Sequence, residues 1–220
     1  MAKAKADPKL IWLQVFVVRE KFKKVTKDKN PDQAFSLSCG EDLSTFGFFQ
    51  RPTVRQILRF AARTTAERCK KQQRLSLNLT ETPGKIHVYR MTNNLCGVAV
   101  TNAEYNERVA HTLVSKMLTE FNDTYLKKIK INEIEADNEL DNQYMNDLIV
   151  KYKNPENQDK LLKIQKNLKE IKDIMHENVE AVLERGENLD KLFQESQDIG
   201  NMTKAFSDKA RKNNQCCTWY

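Results

Sequence analysis

The chain has 220 residues and a net charge of +7, and about 40% of its residues are hydrophobic. This length and composition exclude a collagen-like or low-complexity chain and a large multidomain enzyme. The longest nearly apolar run, Leu10 to Val18, has nine residues, whereas a membrane-spanning helix needs about 20. Lys and Arg alternate with Asp and Glu along the chain, which argues against a basic face for nucleic acid.

The first half of the chain alternates strand-like and helix-like patterns. A turn signal at Glu81-Thr82-Pro83-Gly84 predicts a hairpin between two of the strands. A 3.6-residue apolar period after Pro52 and another after Glu104 predict two helices. The order of elements predicts an α+β fold with an antiparallel sheet. The predicted strands are Leu10 to Val18, Ala34 to Cys39, Arg74 to Thr80, Lys85 to Met91 and Cys96 to Thr101.

The last third of the chain carries a different pattern. Steps of three and four residues from Leu161 reach sixteen positions, of which eleven are apolar, as is typical of a coiled-coil seam. Gly186 and Gly200 each cost about 1 kcal/mol in a helix interior, so we expect disorder, or docking on the folded half, until partner helices bind. The seam positions are Leu161, Ile164, Leu168, Ile171, Met175, Asn178, Val182, Arg185, Leu189, Leu192, Ser196, Ile199, Thr203, Phe206, Ala210 and Asn213.

One seam position, Arg185, carries a permanent charge, which is expensive to desolvate without several acceptors. The segment from Val182 to Leu192, within a wider match from Ile171 to Ala210, resembles the centre of an R-SNARE motif. The resemblance implies that Arg185 meets three glutamines, one from each of three Q-SNARE helices, in the ionic layer of a four-helix bundle. The other seam residues would form the layers on either side. An ordinary coiled coil with a solvent-facing arginine is the alternative.

The first half resembles a known domain as well. Phe46 to Arg51 and Gly97 to Tyr105 are similar to the longin domain of lipidated, synaptobrevin-like R-SNAREs of Golgi, endosomal and vacuolar membranes. The resemblance implies a profilin-like domain with a five-stranded antiparallel sheet and flanking helices. We expect a longin domain with an N-terminal extension over 1–140, a short helix and linker over 141–158, an R-SNARE coiled-coil helix over 159–213 and a lipidation tail over 214–220. The N-terminal extension and an insertion around Lys21 to Asp32 depart from the family pattern.

Two adjacent cysteines lie near the end of the sequence. Cys217 precedes Thr218-Trp219-Tyr220, where a prenylation cysteine would stand, and the family carries a palmitoyl group on the preceding cysteine, here Cys216. One lipid gives marginal membrane binding and two give stable attachment, so the pair implies a reversible anchor on a cytosolic membrane face. The aromatic Trp219 and Tyr220 depart from the usual prenylation box, which leaves unmodified or merely palmitoylated cysteines open.

In the family this resembles, the longin domain folds back on its own SNARE motif and holds a closed, soluble form. The resemblance places Phe60, on the first predicted helix, at that contact. Phe46, Phe48 and Phe49 are further candidates for the autoinhibitory groove, with packing in the core as the alternative for each phenylalanine.

Other functions fit the residues less well. An enzyme needs a nucleophile, a base and a pocket, but His87, His111 and His176 fall on a predicted strand, a predicted helix and the flank of the seam with no partner pattern, and there is no glycine-rich phosphate loop. The five cysteines show neither a disulfide framework nor zinc spacing. A longin adaptor or tether that does not itself drive fusion is the main alternative. We expect a non-enzymatic R-SNARE of vesicle trafficking, with no cofactor, no metal and no nucleic-acid partner.

Overall fold

The computed structural model describes residues 9–20, 33–79, 84–126, 134–138, 140, 142–153, 157–158, 160, 174–183 and 188–205. The chain divides into two compact units, Met1–Asp42 with Ala62–Val182, and Leu43–Ala61 with Leu183–Tyr220. Residues 1–8 of the N-terminal extension and the insertion around Lys21 to Asp32 lie outside the described residues.

The first unit is built on a six-stranded sheet in the order β2-β1-β5-β4-β3-β6. Neighbouring strands among the first five all pair antiparallel, so the predicted antiparallel sheet of an α+β fold is confirmed. The sixth strand comes from the C-terminal segment and pairs parallel with β3, which the sequence did not indicate. The strands are β1 (Leu10–Arg19), β2 (Gln33–Glu41), β3 (Arg74–Asn78), β4 (Gly84–Arg90), β5 (Leu95–Asn102) and β6 (Ile174–Asn178).

One face of the sheet forms the main core with α2 (Glu107–Phe121) and α3 (Asn142–Lys153). The Asn106 side chain accepts hydrogen bonds from the backbone N–H groups of Arg108 and Val109, which caps the start of α2. The apolar face of α2 has the predicted 3.6-residue period. α3 lies within the segment expected to be a short helix and linker, and it completes this core. The core residues of these helices include Val109, Leu113, Met117, Phe121, Met145, Leu148, Ile149 and Tyr152.

Two glycines let these helices approach the sheet closely. A Cβ on Gly40 of β2 would lie 2.7 Å from the backbone carbonyl carbon of Met145 in α3. A Cβ on Gly97 of β5 would lie 2.9 Å from Val114 Cγ1 and Met117 Cε in α2. Both distances are shorter than ordinary van der Waals contacts, so only glycine permits this spacing.

The helix predicted after Pro52 is α1 (Arg51–Arg68), whose second half belongs to the first unit. The Arg63 guanidinium lies 5.8 Å from the centroid of the Phe16 ring and forms an ion pair with Asp137 at 2.6 Å. Phe16 lies on the sheet face opposite the main core, because its strand neighbours Val15 and Val17 belong to that core. This half of α1 therefore lies on the second face of the sheet.

The C-terminal segment forms several short elements. β6 is followed by a 3₁₀ turn at Val179–Val182 and by α4 at Leu189–Glu195, and residues 201–205 are helical. The described residues therefore differ from the continuous coiled-coil helix that the seam predicts. Without partner helices, an isolated helix of this composition is marginal in water. The backbone groups of this segment therefore form hydrogen bonds with the edge of β3 in place of hydrogen bonds within a helix. β6 lies on the folded half, one of the two arrangements expected without partners.

Candidate functional site

The candidate functional site is the edge of the sheet where the C-terminal segment lies. β6 runs parallel to β3 in a register that aligns Ile174 with Arg74 and Asn178 with Asn78. Without β6, β3 would be an edge strand, and the unpaired backbone groups of such an edge bind extended segments. Met175 of β6 is also held by its side chain, because the Gln73 Nε2 group lies 3.2 Å from the Met175 Sδ atom. The site is therefore a strand-addition surface that already holds part of this chain.

Strand pairing and seam formation exclude one another in this segment. Met175 and Asn178 are adjacent seam positions, and in a helix residues three apart share a face. In β6 the same two side chains point to opposite faces, because side chains alternate along a strand. A molecule with β6 in the sheet therefore cannot present these two positions to partner helices.

A second contact with the C-terminal segment lies within the second unit. The Phe60 ring of α1 packs edge-to-face on the Phe193 ring of α4, with centroids 5.4 Å apart, and Phe60 is only 6% exposed. The backbone N–H group of Gly200 donates to Gln56 Oε1 at 2.9 Å. Sequence reasoning selected Phe60 but missed Phe193, since Phe193 stands beside the seam position Leu192 and belongs to no periodic set.

The three other groove candidates have different surroundings. Phe48 and Phe49 are 76% and 92% exposed, and their rings contact each other with centroids 5.5 Å apart. Packing in the core, the alternative weighed for both residues, is therefore wrong. Phe46 is half-buried, and its carbonyl oxygen accepts a hydrogen bond from Arg51 Nε at 3.1 Å.

The seam residues that the structure describes are buried to different extents. Ile199 and Thr203 are buried, Val182, Leu189, Leu192 and Ser196 are half-buried, and Asn178 is exposed. Met175 is 46% exposed. The remaining site predictions lie outside the described residues and stay predictions: Leu161, Ile164, Leu168, Ile171, Arg185, Phe206, Ala210, Asn213, Cys216 and Cys217.

The chain's three histidines converge beside the β3–β6 pair. His87 of β4 and His176 of β6 are both paired with Ser76 of β3, one from each side, so the two side chains share a sheet face with Ser76. His111 of α2 lies above this row, with its ring centroid 5.3 Å from that of His87. These histidines showed no pattern in the sequence because three separate elements contribute them.

A buried polar network holds two of the histidine rings. The Ser76 hydroxyl oxygen lies 2.9 Å from both His87 Nδ1 and His111 Nε2, and His87 Nε2 lies 3.1 Å from the Thr101 hydroxyl oxygen. Burial lowers the pKa of His87 to about 4 and the pKa of His111 to about 2. Both rings are therefore neutral near pH 7, and each keeps a nitrogen lone pair.

The fold and the C-terminal segment together define a class of protein, a longin domain followed by a SNARE motif. A family model described as a regulated-SNARE-like domain matches residues 43–144, and the synaptobrevin family model matches residues 160–220. None of the helices in the described part of the chain has the length and apolarity that crossing a bilayer requires.

Curated relatives identify the family. The synaptobrevin homolog YKT6 of Saccharomyces cerevisiae is 37% identical over 186 residues, which cover 84% of this chain and 92% of that protein. The synaptobrevin homolog ykt6 of Schizosaccharomyces pombe is 34% identical over 86% of this chain and 93% of its own length. The VAMP-like protein YKT61 of Arabidopsis thaliana is 36% identical over 83% of this chain and 89% of its own length. The chain belongs to the family of longin-type R-SNAREs, the synaptobrevin homologues.

Family membership settles the broad function. The chain is an R-SNARE of vesicle trafficking, and its synaptobrevin-type motif forms a bundle with SNARE partners. It is a SNARE protein and not an enzyme, as the sequence indicated.

Proposed function

We propose that this chain drives membrane fusion by zippering its motif with three Q-SNARE helices, and that its longin domain holds the motif in a closed form beforehand. Lipids on Cys216 and Cys217 attach it to the cytosolic face of a Golgi, endosomal or vacuolar membrane. The longin domain extends over 1–140, a short helix and linker over 141–158, the motif over 159–213 and the lipidation tail over 214–220. The observation that carries the proposal is that Ile174–Asn178 of the motif forms a strand of the longin sheet.

The strand supports autoinhibition because the same residues cannot occupy a sheet and a helical bundle together. Each hydrogen bond of the β3–β6 ladder contributes about 1 kcal/mol net, and an edge-to-face aromatic pair such as Phe60–Phe193 adds about 1 kcal/mol beyond burial. If the entropy cost of ordering the segment reduces the net stabilisation of the closed form to about 3 kcal/mol, roughly 1% of the molecules are open. Partner helices that bind only the open form then shift the population toward it.

The zippering step depends on Arg185. In a bundle, the guanidinium would be buried among apolar layers, where it needs several acceptors to offset the cost of desolvation. Three glutamine side chains supply neutral carbonyl acceptors for its five N–H donors. The layer thereby sets the register of the four helices, since a shift by one turn would bury the charge without partners.

The lipid anchor transmits the force of zippering to the bilayer. Cys216 and Cys217 offer two thiols for prenylation and palmitoylation, and two chains give stable attachment where one does not. Lys204, Lys209 and Arg211 add attraction to an anionic leaflet. Removal of one lipid would return the chain to a weakly bound state, which the closed form suits because it covers apolar seam residues such as Ile199.

Fusion of vesicles carrying this chain with vesicles carrying three Q-SNARE helices tests the zippering step. Arg185→Ala should slow lipid mixing. Arg185→Gln should slow it as well, and replacement of one partner glutamine by arginine should restore lipid mixing in that variant. Lys191→Ala is the matched control, because it removes a cation from the same segment at an exposed position outside the seam. Lipid mixing at the same rate in the parent, Arg185→Ala and Arg185→Gln would favour the adaptor or tether over the fusion function.

Intact mass and membrane partitioning of the protein from its native cells test the anchor. A prenyl mass that is lost in Cys217→Ser, together with membrane binding, supports the proposed attachment. In Cys216→Ser the prenyl mass should remain while stable membrane binding weakens. An unmodified tail on a chain that does not partition into membranes would contradict the anchor.

A further inference from the structure

The turn before α1 presents two neighbouring phenylalanines to solvent. The backbone N–H group of Gln50 donates to the Gly47 carbonyl oxygen at 2.8 Å, so Phe48 and Phe49 occupy the two central positions of a β-turn. Gly, Pro, Asn, Asp and Ser are the usual residues at such positions, whereas here both positions carry rings that are mostly exposed. The fold therefore gains almost nothing from the apolar surface of these two rings.

Hydrogen bonds hold this turn in one conformation. The Gly47 N–H group donates to Gln50 Oε1 at 3.2 Å, and Arg51 Nε donates to the Phe46 carbonyl oxygen at 3.1 Å. The Phe46 N–H group donates to the carbonyl oxygen of the buried residue Leu43 at 3.0 Å. The two exposed rings also contact each other edge-to-face. A pair of rings that is held in this way loses little conformational freedom when it binds a partner.

The charge around the turn is positive. The segment Leu43–Ala61 contains three arginines and no aspartate or glutamate. Arg51 and Arg55 are one helical turn apart at the start of α1, so they lie on the same face of the helix. An apolar tip beside arginines complements an anionic bilayer surface, because the rings can enter the boundary of the hydrocarbon region while guanidinium groups bind lipid phosphates.

The small area of the tip favours a membrane over a protein partner. A phenylalanine ring buries roughly 150–250 Å², so the pair supplies well under the roughly 800 Å² that each partner contributes to a stable protein interface. A bilayer needs no complementary surface of fixed shape, since its lipids rearrange around an inserted side chain. We propose that Phe48 and Phe49 form a membrane-contact tip that inserts into the interface of an anionic bilayer, with Arg51 at the level of the lipid phosphates.

The C-terminal tail would keep this tip near a membrane. The Gly200 N–H group is bonded to Gln56 of α1, and the sixteen residues from Gly200 to Cys216 span at most roughly 58 Å when extended. A lipid on Cys216 would therefore raise the effective concentration of the bilayer at the tip. This gain rests on the lipid anchor of the proposed function, whereas the contact itself does not, so the test uses a chain without the anchor.

Flotation of the full chain with lipid vesicles tests the contact. Cys216→Ser and Cys217→Ser are combined in a serine-tail chain, which carries no lipid. We expect this chain to float with vesicles of two parts phosphatidylcholine to one part phosphatidylserine, and much less with phosphatidylcholine alone. Phe48→Ala and Phe49→Ala should each lower the partition coefficient about tenfold, the order expected when one phenylalanine ring no longer leaves water.

Matched variants separate the tip from general attraction to the membrane. Val150→Ala removes an exposed apolar side chain from α3 and should float like the serine-tail chain. Arg51→Gln should weaken binding to the phosphatidylserine vesicles about fivefold. Arg108→Gln, which removes an exposed arginine from α2, should have little effect. Urea unfolding of each variant verifies that the substitution leaves the fold intact.

A fluorescence measurement shows whether the tip enters the bilayer. Phe49→Trp is made in the serine-tail chain together with Trp219→Phe, so that the remaining native tryptophan is Trp12, which is fully buried. Vesicles should shift the emission to the blue, and lipids with brominated acyl chains should quench it. Partition that is the same in the serine-tail chain, Phe48→Ala and Phe49→Ala, or emission that brominated lipids do not quench, would overturn the proposal. A serine-tail chain that does not bind phosphatidylserine vesicles would also overturn it and leave a protein as the partner of the two rings.

Discussion

Truncation of Phe193 should open the contact that holds the C-terminal segment in the second unit. Phe193 is half-buried, so its removal forfeits about 1 kcal/mol, half of what full burial of a phenylalanine is worth. Loss of the edge-to-face contact with Phe60 adds about 1 kcal/mol. The total of about 2 kcal/mol corresponds to roughly a 30-fold change in the ratio of docked to undocked segment.

Amide hydrogen exchange across α4 measures this change in the isolated chain. Protection of Leu189–Glu195 should fall by about 30-fold in Phe193→Ala, and binding to three Q-SNARE helices should become faster. Phe193 is not a seam position, so its loss should leave the finished bundle intact. Phe49→Ala is the matched control, because it removes the same ring from a site that is 92% exposed.

A double-mutant cycle between Phe60 and Phe193 isolates the contact itself. Phe60→Ala should cost more than Phe193→Ala, since Phe60 is nearly fully buried, and the pair should show a coupling energy of about 1 kcal/mol. Exchange and bundle-assembly rates in Phe193→Ala that match those of the Phe49→Ala control would refute the reasoning, as would additive effects of the two substitutions.

Gly40→Ala should destabilise the longin domain by about 1–3 kcal/mol in urea unfolding, because its Cβ would meet the Met145 backbone at 2.7 Å. Gly47→Ala is the control, since its nearest neighbour is the flexible end of the Gln50 side chain at 3.3 Å, and an equal loss in both would contradict the steric account. The hydrogen bond from Tyr144 to the Glu120 carboxylate at 2.5 Å should stabilise the fold by about 1 kcal/mol after allowance for solvent screening. Burial raises the pKa of Glu120, but hydrogen bonds from Lys116 and Tyr144 outweigh this effect and hold the pKa below the usual value of a glutamate carboxyl. The stability difference between the parent and Tyr144→Phe should therefore be fully present above the unfolded-state pKa of glutamate, about 4.3, and vanish as the pH falls through the lowered pKa of the folded state. A difference that persists at lower pH would contradict the assignment.

The first half of the fold could be predicted because its signals are local. Alternation in runs such as Leu75-Ser76-Leu77 follows from the two faces of a strand, and the period from Val109 to Phe121 follows from one buried helix face. The role of the segment after residue 141 was harder to foresee. Its apolar pattern is short, and only the tertiary structure shows that Met145 and Tyr152 belong to the main core.

By itself, the sequence determined the order of strands and helices, the seam and the family resemblance, because periodicity and motif spacing are properties of neighbouring residues. Only the tertiary structure decided that Ile174–Asn178, read as part of a helix, pairs with β3 as a strand. When no partner helices are present, the unpaired N–H and C=O groups at the edge of β3 form hydrogen bonds with the backbone of this segment. The same pairing brings His176 beside Glu107, and α2 brings in His111. These residues are separated by nearly ninety positions in the sequence, and no local sequence pattern shows that the fold brings them together.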